Sequence, residues 1–300
     1  MGTRIAKTTI VMSLLALIRL LGFSLLAIAA DPQQTEARQT KEDVDPKIKE
    51  LRAGKNFIPT KVYSAEEDQK MLKLFKDLRV ADVVDGMDKA GLRNVGAMDP
   101  AIHPAWKDTV HYKHRFIGIA VTVRYVPVNW PLPPKMNTKE FDEYQDKHYT
   151  TTAAEPFVDL IRPGTAIVID DSIGYDVGPV GSFNIMVYRQ KGCVGVVTDA
   201  TARDLDEVAA QAVPLYIRHP GRRIRPGRNQ TESVNMPIVC GGVLVMPGDI
   251  IVADGDGVLV VPRAHAKEVV EYARATIEMD KPRRLEMYKK LGLPLDDSVK

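Results

Sequence analysis

The feature that most constrains the fold of this sequence is a strand-like segment that runs directly into a group of charged residues. Residues 192–198 are apolar and β-branched, as in a strand buried on both faces. Residues 199–207 then carry four carboxylates and one arginine, including the adjacent Arg203 and Asp204. Open α/β sheets tend to bind ligands at the carboxyl ends of their strands. The segment therefore predicts an α/β fold with a ligand site that includes Arg203 and Asp204.

The segments on either side of this strand predict an α/β domain with more than one sheet layer. Ser64 and Glu67 have the spacing of a capping box, and an apolar stripe follows them. Residues 236–262 predict short strands joined by tight turns. Further strands are predicted at 115–128, 163–171 and 213–219, and helices at 64–78, 80–91, 182–192, 205–212 and 265–278. Helices first, then mixed elements, then a β-rich end are typical of layered α/β folds.

The N-terminal residues 1–29 have the pattern of a secretory signal peptide. Arg4 and Lys7 precede a long apolar run, which ends in a small-x-small cleavage signal at residues 27–29. We therefore expect export to the periplasm or the medium. The alternative is an uncleaved membrane anchor, because the run is long enough to span a bilayer. Residues 30–60 are polar and predict a linker or arm.

The overall charge gives no indication of a nucleic-acid partner. The chain has 41 Lys and Arg against 39 Asp and Glu, and three of the basic residues belong to the expected leader. The rest of the chain is close to neutral, so a basic surface of the kind that binds nucleic acid is not expected.

Two neighbouring elements carry residue types that suit a small oxo acid. Arg203 offers a planar fork for a carboxylate, and Asp204 offers hard oxygen atoms to Mg²⁺ or Mn²⁺. Residues 178–184 place glycines before a predicted helix, whose first amides could bind an anion. From the residues alone, Arg203 could equally be an ion-pair partner and Asp204 only a helix cap.

Several stretches resemble the RraA-like family, which includes class II 4-hydroxy-4-methyl-2-oxoglutarate / 4-carboxy-4-hydroxy-2-oxoadipate aldolases. The spacing of Gly181 to the Arg203–Asp204 pair is similar to the family signature, and the resemblance covers residues 70–285 in the same order. The stretches that carry it are residues 80–91, 118–123, 163–170, 192–204 and 241–269.

The resemblance implies a swivelling β/β/α fold with N-terminal helices and a C-terminal helix, spanning residues 61–285 and followed by a tail at 286–300. It also implies a homo-trimer, or a multiple of trimers, with sites near the subunit interfaces. The implied activity is a divalent-metal-dependent lyase acting on a small 2-oxo acid, by aldol cleavage that releases pyruvate, oxaloacetate decarboxylation, or both.

The site residues that the resemblance implies are those already singled out. A loop binds pyruvate through backbone amides, the arginine binds substrate, and the aspartate holds Mg²⁺ or Mn²⁺ largely through waters. The loop corresponds to Gly181, Ser182, Phe183 and Asn184, and the other two roles fall to Arg203 and Asp204.

The chain departs from the family pattern at several positions. Ser182 and Asn184 stand where the family usually has an acidic residue and a leucine, Ala200 replaces a glycine, and the segment 127–150 is longer than expected. An alternative function is therefore a non-catalytic binding protein, since some relatives restrain an RNA-degrading enzyme. A methyltransferase function is not favoured, because no glycine-rich nucleotide loop follows the first strand.

Other motifs are better explained by structure than by chemistry. Residues 254–257 begin like a calcium loop but lack oxygen ligands at the fifth and twelfth positions, so a tight turn is expected. His111 and His114 could bind a metal, but no partner stands at a recognisable spacing. The basic loop 221–228 predicts a solvated face or a carboxylate clamp. Cys193 and Cys240 lie in strand-like contexts, and buried free thiols are preferred to a disulfide.

Overall fold

The computed structural model describes residues 57–131, 133–171, 176–296 and 298–299, together with Pro46. The chain divides into two units, Met1–Phe57 and Ile58–Lys300, and the fold below is that of the second. The expected signal peptide and nearly all of the expected arm at 30–60 lie outside the described residues. Within the described part of the chain, no helix is long and apolar enough to cross a membrane.

An eight-stranded mixed sheet forms the centre of the second unit. Strands β2 (Phe116–Pro127), β3 (Thr165–Asp170), β4 (Cys193–Thr198) and β6 (Leu215–Ile217) run parallel in this order. The sheet is extended by antiparallel neighbours, which are β1 (His103–Pro104) beside β6, β11 (Ile250–Asp254) and β12 (Gly257–Val261) beyond β2, and β8 (Asn229–Val234) on the far end of β2. Two small sheets accompany it, β5 (Thr201–Ala202) with β7 (His219–Pro220) and β9 (Ile238–Cys240) with β10 (Val243–Val245).

The central strands are buried on both faces, as their apolar sequences predict. In β3, Ile167 and Ile169 pack into one apolar cluster, whereas Ala166 and Val168 pack into another on the opposite face. Because successive side chains of a strand point to opposite faces, this alternation requires a cover on each side. The prediction of an α/β fold with more than one layer is confirmed.

Six α-helices surround the described sheet. They are α1 (Ala65–Phe75), α2 (Val80–Lys89), α3 (Thr138–Thr150), α4 (Ser182–Gln190), α5 (Leu205–Ala210) and α6 (Ala266–Leu291). The capping box predicted for α1 is confirmed, with reciprocal hydrogen bonds between Ser64 and Glu67. Helices α1, α2 and α6 share an apolar cluster with β11 and β12, and α4 and α5 cover the other side near β3 and β4.

Two elements differ from the sequence prediction. The segment 127–150 contains α3, which begins at a capping box between Asn137 and Glu140. Helix α6 continues through Pro282 to Leu291, past residue 278, where its end was predicted. The expected boundary of the tail at residue 286 therefore falls inside α6.

Candidate active site

The Arg203–Asp204 pair lies in the turn between β5 and α5. Asp204 has φ 58° and ψ 39°, which is the left-handed region that aspartate tolerates better than most residues. Although it occupies the cap position of α5, its side chain makes no capping hydrogen bond. The reading of Asp204 as a simple helix cap is therefore wrong.

The Asp204 carboxylate points instead to the start of α4. Ser182 donates its backbone N–H to Asp204 Oδ2 at 3.2 Å. Gly181 precedes the helix without any side-chain cap, so the first amides of α4 stay available to other acceptors. Ile185 donates to Gly181 O, whereas the amides of Phe183 and Asn184 have no hydrogen-bond partner among the described residues.

The contact between the two elements depends on the small size of Gly181. A Cβ atom at Gly181 would lie 2.6 Å from Asp204 Oδ2 and 3.3 Å from Arg203 Nε. Gly181 has φ −117°, so space and not backbone conformation demands glycine here. The glycine thus lets the carboxylate and the guanidinium approach the helix terminus.

Arg203 keeps most of its hydrogen-bonding capacity free. Its Nε lies 3.6 Å from Asp204 Oδ2, and both side chains are 36% exposed. Such a half-exposed, single contact contributes little to stability. The terminal nitrogen atoms of Arg203 have no partner in the described part of the chain. Gly181 and Ser182 therefore approach Arg203 and Asp204, and the free amides of Phe183 and Asn184 follow in the first turn of α4.

A family model described as RraA-like, Aldolase/RraA, matches residues 80–260. The chain belongs to the RraA-like family. This match spans the whole region of the candidate site, from α2 through β12.

Two named relatives each match over only part of one of the two chains compared. A protein of Halalkalibacterium halodurans named "Putative 4-hydroxy-4-methyl-2-oxoglutarate aldolase" is 34% identical over 113 residues, which are 37% of this chain and 53% of that protein. Protein DlpA of Legionella pneumophila is 26% identical over 222 residues, 72% of this chain and 32% of DlpA. The chain thus spans about half or less of the length of these two relatives.

Two solved structures have a similar fold. An uncharacterized protein from Pseudomonas syringae pv. tomato is 27% identical, with a TM-score of 0.57 over 81% of this chain and 100% of that one. The RraA-family protein RraAS2 of Streptomyces coelicolor gives a TM-score of 0.60 at 20% identity, over 73% of this chain and 98% of that one. The second likeness concerns the fold alone.

Hydrogen bonds around Glu155, which the sequence did not reveal, connect the start of α4 to the protein interior. We call Glu155, Tyr188 and Arg225 the polar layer. Glu155 accepts hydrogen bonds from Tyr188 Oη at 2.7 Å, Asn184 Nδ2 at 3.3 Å and a terminal nitrogen of Arg225 at 3.4 Å. Burial raises the pKa of Glu155, and these partners oppose that effect. The Asn184 side chain is thereby fixed, so the first turn of α4 is held in place.

Arg225 is the largest fully buried side chain, at 1% exposure. Its guanidinium donates to Asn229 Oδ1 at 2.8 Å, Ala153 O at 3.1 Å and Thr231 Oγ1 at 3.1 Å. It also stacks on the Tyr125 ring at 3.8 Å. The loop 221–228 was predicted to be a solvated face or a carboxylate clamp. Arg225 is not solvated, because the chain folds back to bury it, and it contacts the Glu155 carboxylate at 3.4 Å.

Two aspartates at the carboxyl ends of β3 and β4 have structural partners. Asp199 accepts hydrogen bonds from the backbone N–H groups of Asp171 and Gly241. Asp171 Oδ2 accepts one from Asn229 Nδ2, whereas Asp171 Oδ1 is buried without a partner. Burial raises the pKa of Asp171 to about 7. Among the charged residues after β4, Arg203 and Asp204 thus belong to the candidate site. Asp199 instead accepts hydrogen bonds from two backbone N–H groups and has a structural role.

The residues present fit a divalent cation only in part. Asp204 Oδ1 makes no hydrogen bond with any described residue, so it is available as a hard oxygen ligand. Among the described residues, no group of three His, Cys, Asp or Glu side chains could hold a metal ion. Asp204 therefore suits an ion that takes most of its ligands from elsewhere.

The other sequence candidates have structural explanations. Residues 254–257 form the turn of the β11–β12 hairpin, as predicted. Cys193 and Cys240 are buried free thiols, as predicted. His114 is buried and its Nδ1 accepts the backbone N–H of Asp108, which leaves that nitrogen unavailable to a metal.

Proposed function

We propose that this chain is a divalent-metal-dependent lyase acting on a small 2-oxo acid, by aldol cleavage that releases pyruvate or by decarboxylation of oxaloacetate. The observation that carries the proposal is the convergence of Asp204 Oδ2, Arg203 Nε and the Ser182 amide across Gly181. The names of the aldolase relatives support the same reaction class.

The proposal assigns a role to each group of the candidate site. The substrate carboxylate binds Arg203 and the amides of Phe183 and Asn184, because cationic and helix N-terminal donors favour an anion. Asp204 holds Mg²⁺ or Mn²⁺, which when bound stabilises negative charge on the 2-oxo oxygen as a Lewis acid. The fixed positive charge of Arg203 favours the same charge development without reorganisation.

The test is pyruvate release from 4-hydroxy-4-methyl-2-oxoglutarate and from oxaloacetate, with Mg²⁺ and with EDTA. We expect Asp204→Asn to lower kcat/KM by about 100-fold or more, since it removes the charged ligand but keeps an acceptor for the Ser182 amide. The matched control is Asp206→Asn, an exposed neighbour on α5, which should retain activity. Turnover that resists EDTA, or full activity of Asp204→Asn, would contradict the proposal.

Assembly and location extend the proposal. We infer a homo-trimer, as the family resemblance implies, in which a neighbouring copy supplies a further carboxylate to the ion, because the described residues provide no group of three metal-binding side chains. We also infer that the leader directs export. Light scattering that gives a monomer with full activity would remove the first inference, and retention of the protein in the cytoplasm would remove the second. A stoichiometric protein partner recovered without any turnover would favour the binding-protein alternative.

A further inference from the structure

A large cavity lies between the segment 128–144 and the loop 222–228. Its volume is about 860 Å³, which is within the range of small-molecule sites in proteins. None of the six residues assigned to the candidate active site lines it. The cavity is therefore a separate feature of the surface.

Hydrogen bonds fix the two walls of this cavity to each other at the base. Val128 donates its backbone N–H to Arg228 O at 3.0 Å, and Pro127 pairs with Asn229 in the β2–β8 ladder. The His148 ring on α3 contacts Asn229 O at 3.0 Å. The spacing of the walls is thus set by the sheet, and the cavity is built into the fold.

One wall is aromatic and apolar. Trp130 and Phe141 are 38% and 41% exposed, and the Tyr144 ring and two prolines continue this wall. Exposed aromatic side chains that line one concavity offer flat surfaces on which a ring can stack. Single exposed apolar residues are common, but a lined concavity of this kind is typical of a ligand site.

The other wall, the loop 222–228, is cationic, and Lys135 adds a further cation from the segment that carries the aromatic wall. Four basic residues and no acidic residue occur among the described residues that line the cavity. Arg222 is paired with Asp176 at 2.7 Å, and Arg228 donates to carbonyl groups of its own loop. The side chains of Arg223 and Lys135 have no partner within the described ranges, so two uncompensated cations line the cavity.

We propose that this cavity binds small aromatic carboxylates, with the ring against Trp130 and Phe141 and the carboxylate against Arg223 and Lys135. Arginine suits a carboxylate because its fork matches the two oxygen atoms. The site borders the Arg203 site, since Gly178 donates its N–H to Arg223 O at 2.8 Å and packs against the Arg203 side chain. The proposal of aromatic carboxylate binding does not depend on the lyase proposal.

The experiment is isothermal titration calorimetry of the purified protein with sodium 2-naphthoate. We expect saturable binding that Arg223→Gln and Lys135→Gln each weaken about tenfold, because each removes a charged partner of the carboxylate. Trp130→Leu should weaken naphthoate binding by more than either of these substitutions. The neutral 2-naphthamide should bind at least about tenfold more weakly than naphthoate. The matched controls Arg93→Gln and Lys267→Gln, both exposed residues without a side-chain partner in the described chain, should bind like the wild type.

Four results would overturn the proposal. Equal affinity for naphthoate and naphthamide would remove the role of charge, and unchanged binding in Trp130→Leu would place the ring elsewhere. Loss of naphthoate binding in Asp204→Asn would assign the ligand to the Arg203 site. Displacement of naphthoate by a deoxythymidine decamer that binds more tightly would assign the cavity to single-stranded nucleic acid. Naphthoate binding that persists in Asp204→Asn supports the proposal whether or not lyase activity is found.

Discussion

At Gly181 a single missing methyl group brings a carboxylate and a guanidinium to the start of a helix. A Cβ atom at Gly181 would lie 2.6 Å from Asp204 Oδ2 and 3.3 Å from Arg203 Nε, so it would displace both side chains. The residue scale is therefore where the candidate site is most sensitive to change.

We expect Gly181→Ala to lower lyase kcat/KM by about tenfold or more while changing the melting temperature little. The added Cβ displaces Asp204 and Arg203, and small displacements of reacting groups have large kinetic effects. Gly255→Ala is the control, because a Cβ there meets no atom within 4 Å. Steady-state kinetics and thermal unfolding of the two variants check the expectation, and equal kcat/KM for both would contradict it.

The buried carboxyl of Asp171 should make stability depend on pH. Its pKa of about 7 lies above the ordinary value of 3.8, so the folded state binds a proton more tightly than the unfolded state. Stability from this group is thus complete near pH 4 and is lost as the pH rises to about 7.

Asp171→Asn should therefore gain stability relative to the wild type as the pH increases. We expect nearly equal melting temperatures for the two proteins at pH 4 and a more stable variant at pH 8, by roughly 2 kcal/mol. Thermal unfolding at both pH values measures the difference. A difference that does not change between pH 4 and pH 8 would show that the carboxyl is not protonated by burial.

At the scale of elements, the capping boxes of α1 and α3 make a matched pair. Asn137 and Glu140 begin α3, and Ser64 and Glu67 begin α1. Loss of such a cap typically costs about 1 kcal/mol of helix stability. We expect Asn137→Ala to speed amide hydrogen exchange in α3 only, and Ser64→Ala to do so in α1 only. Faster exchange in both helices for either variant would contradict independent capping.

Local signals could be predicted from the sequence, and contacts between distant segments could not. The α1 cap, the buried strands and the 254–257 turn depend on neighbouring residues. Helix α3 also has such a signal, the Asn137–Glu140 spacing, which its proline-rich surroundings obscure. Arg225 has no local signal, because its partners Ala153 and Glu155 are about 70 residues away in the chain.

The sequence suggests which residues form the candidate site, but it does not give their geometry. Glycines before a helix and an Arg–Asp pair after a strand indicate anion and metal chemistry separately. That Asp204 adopts a left-handed conformation and accepts the Ser182 amide follows only from the packing of α4 against α5. Glu155 and Tyr188, which hold Asn184 in place, could not be assigned to the site from sequence.

At the scale of the whole molecule, Arg225 connects two distant segments. It donates hydrogen bonds to Ala153 and Glu155, which follow α3, and to Asn229 of β8. We expect Arg225→Lys to destabilise the protein by about 3 kcal/mol, because lysine cannot replace the planar fork and leaves buried acceptors unpaired. The control is Arg222→Lys, whose side chain is 83% exposed and should change stability by less than about 0.5 kcal/mol. Urea unfolding measures both, and similar midpoints for the two variants would contradict the structural role of Arg225.

The two cysteines give the molecule a practical advantage. Burial raises the pKa of Cys193 to about 11 and that of Cys240 well above its usual range, and only the thiolate reacts readily with maleimides. A fluorophore could therefore be attached to one introduced surface cysteine without first replacing the native pair. Energy transfer between labelled copies would then test whether copies of the otherwise unmodified chain associate.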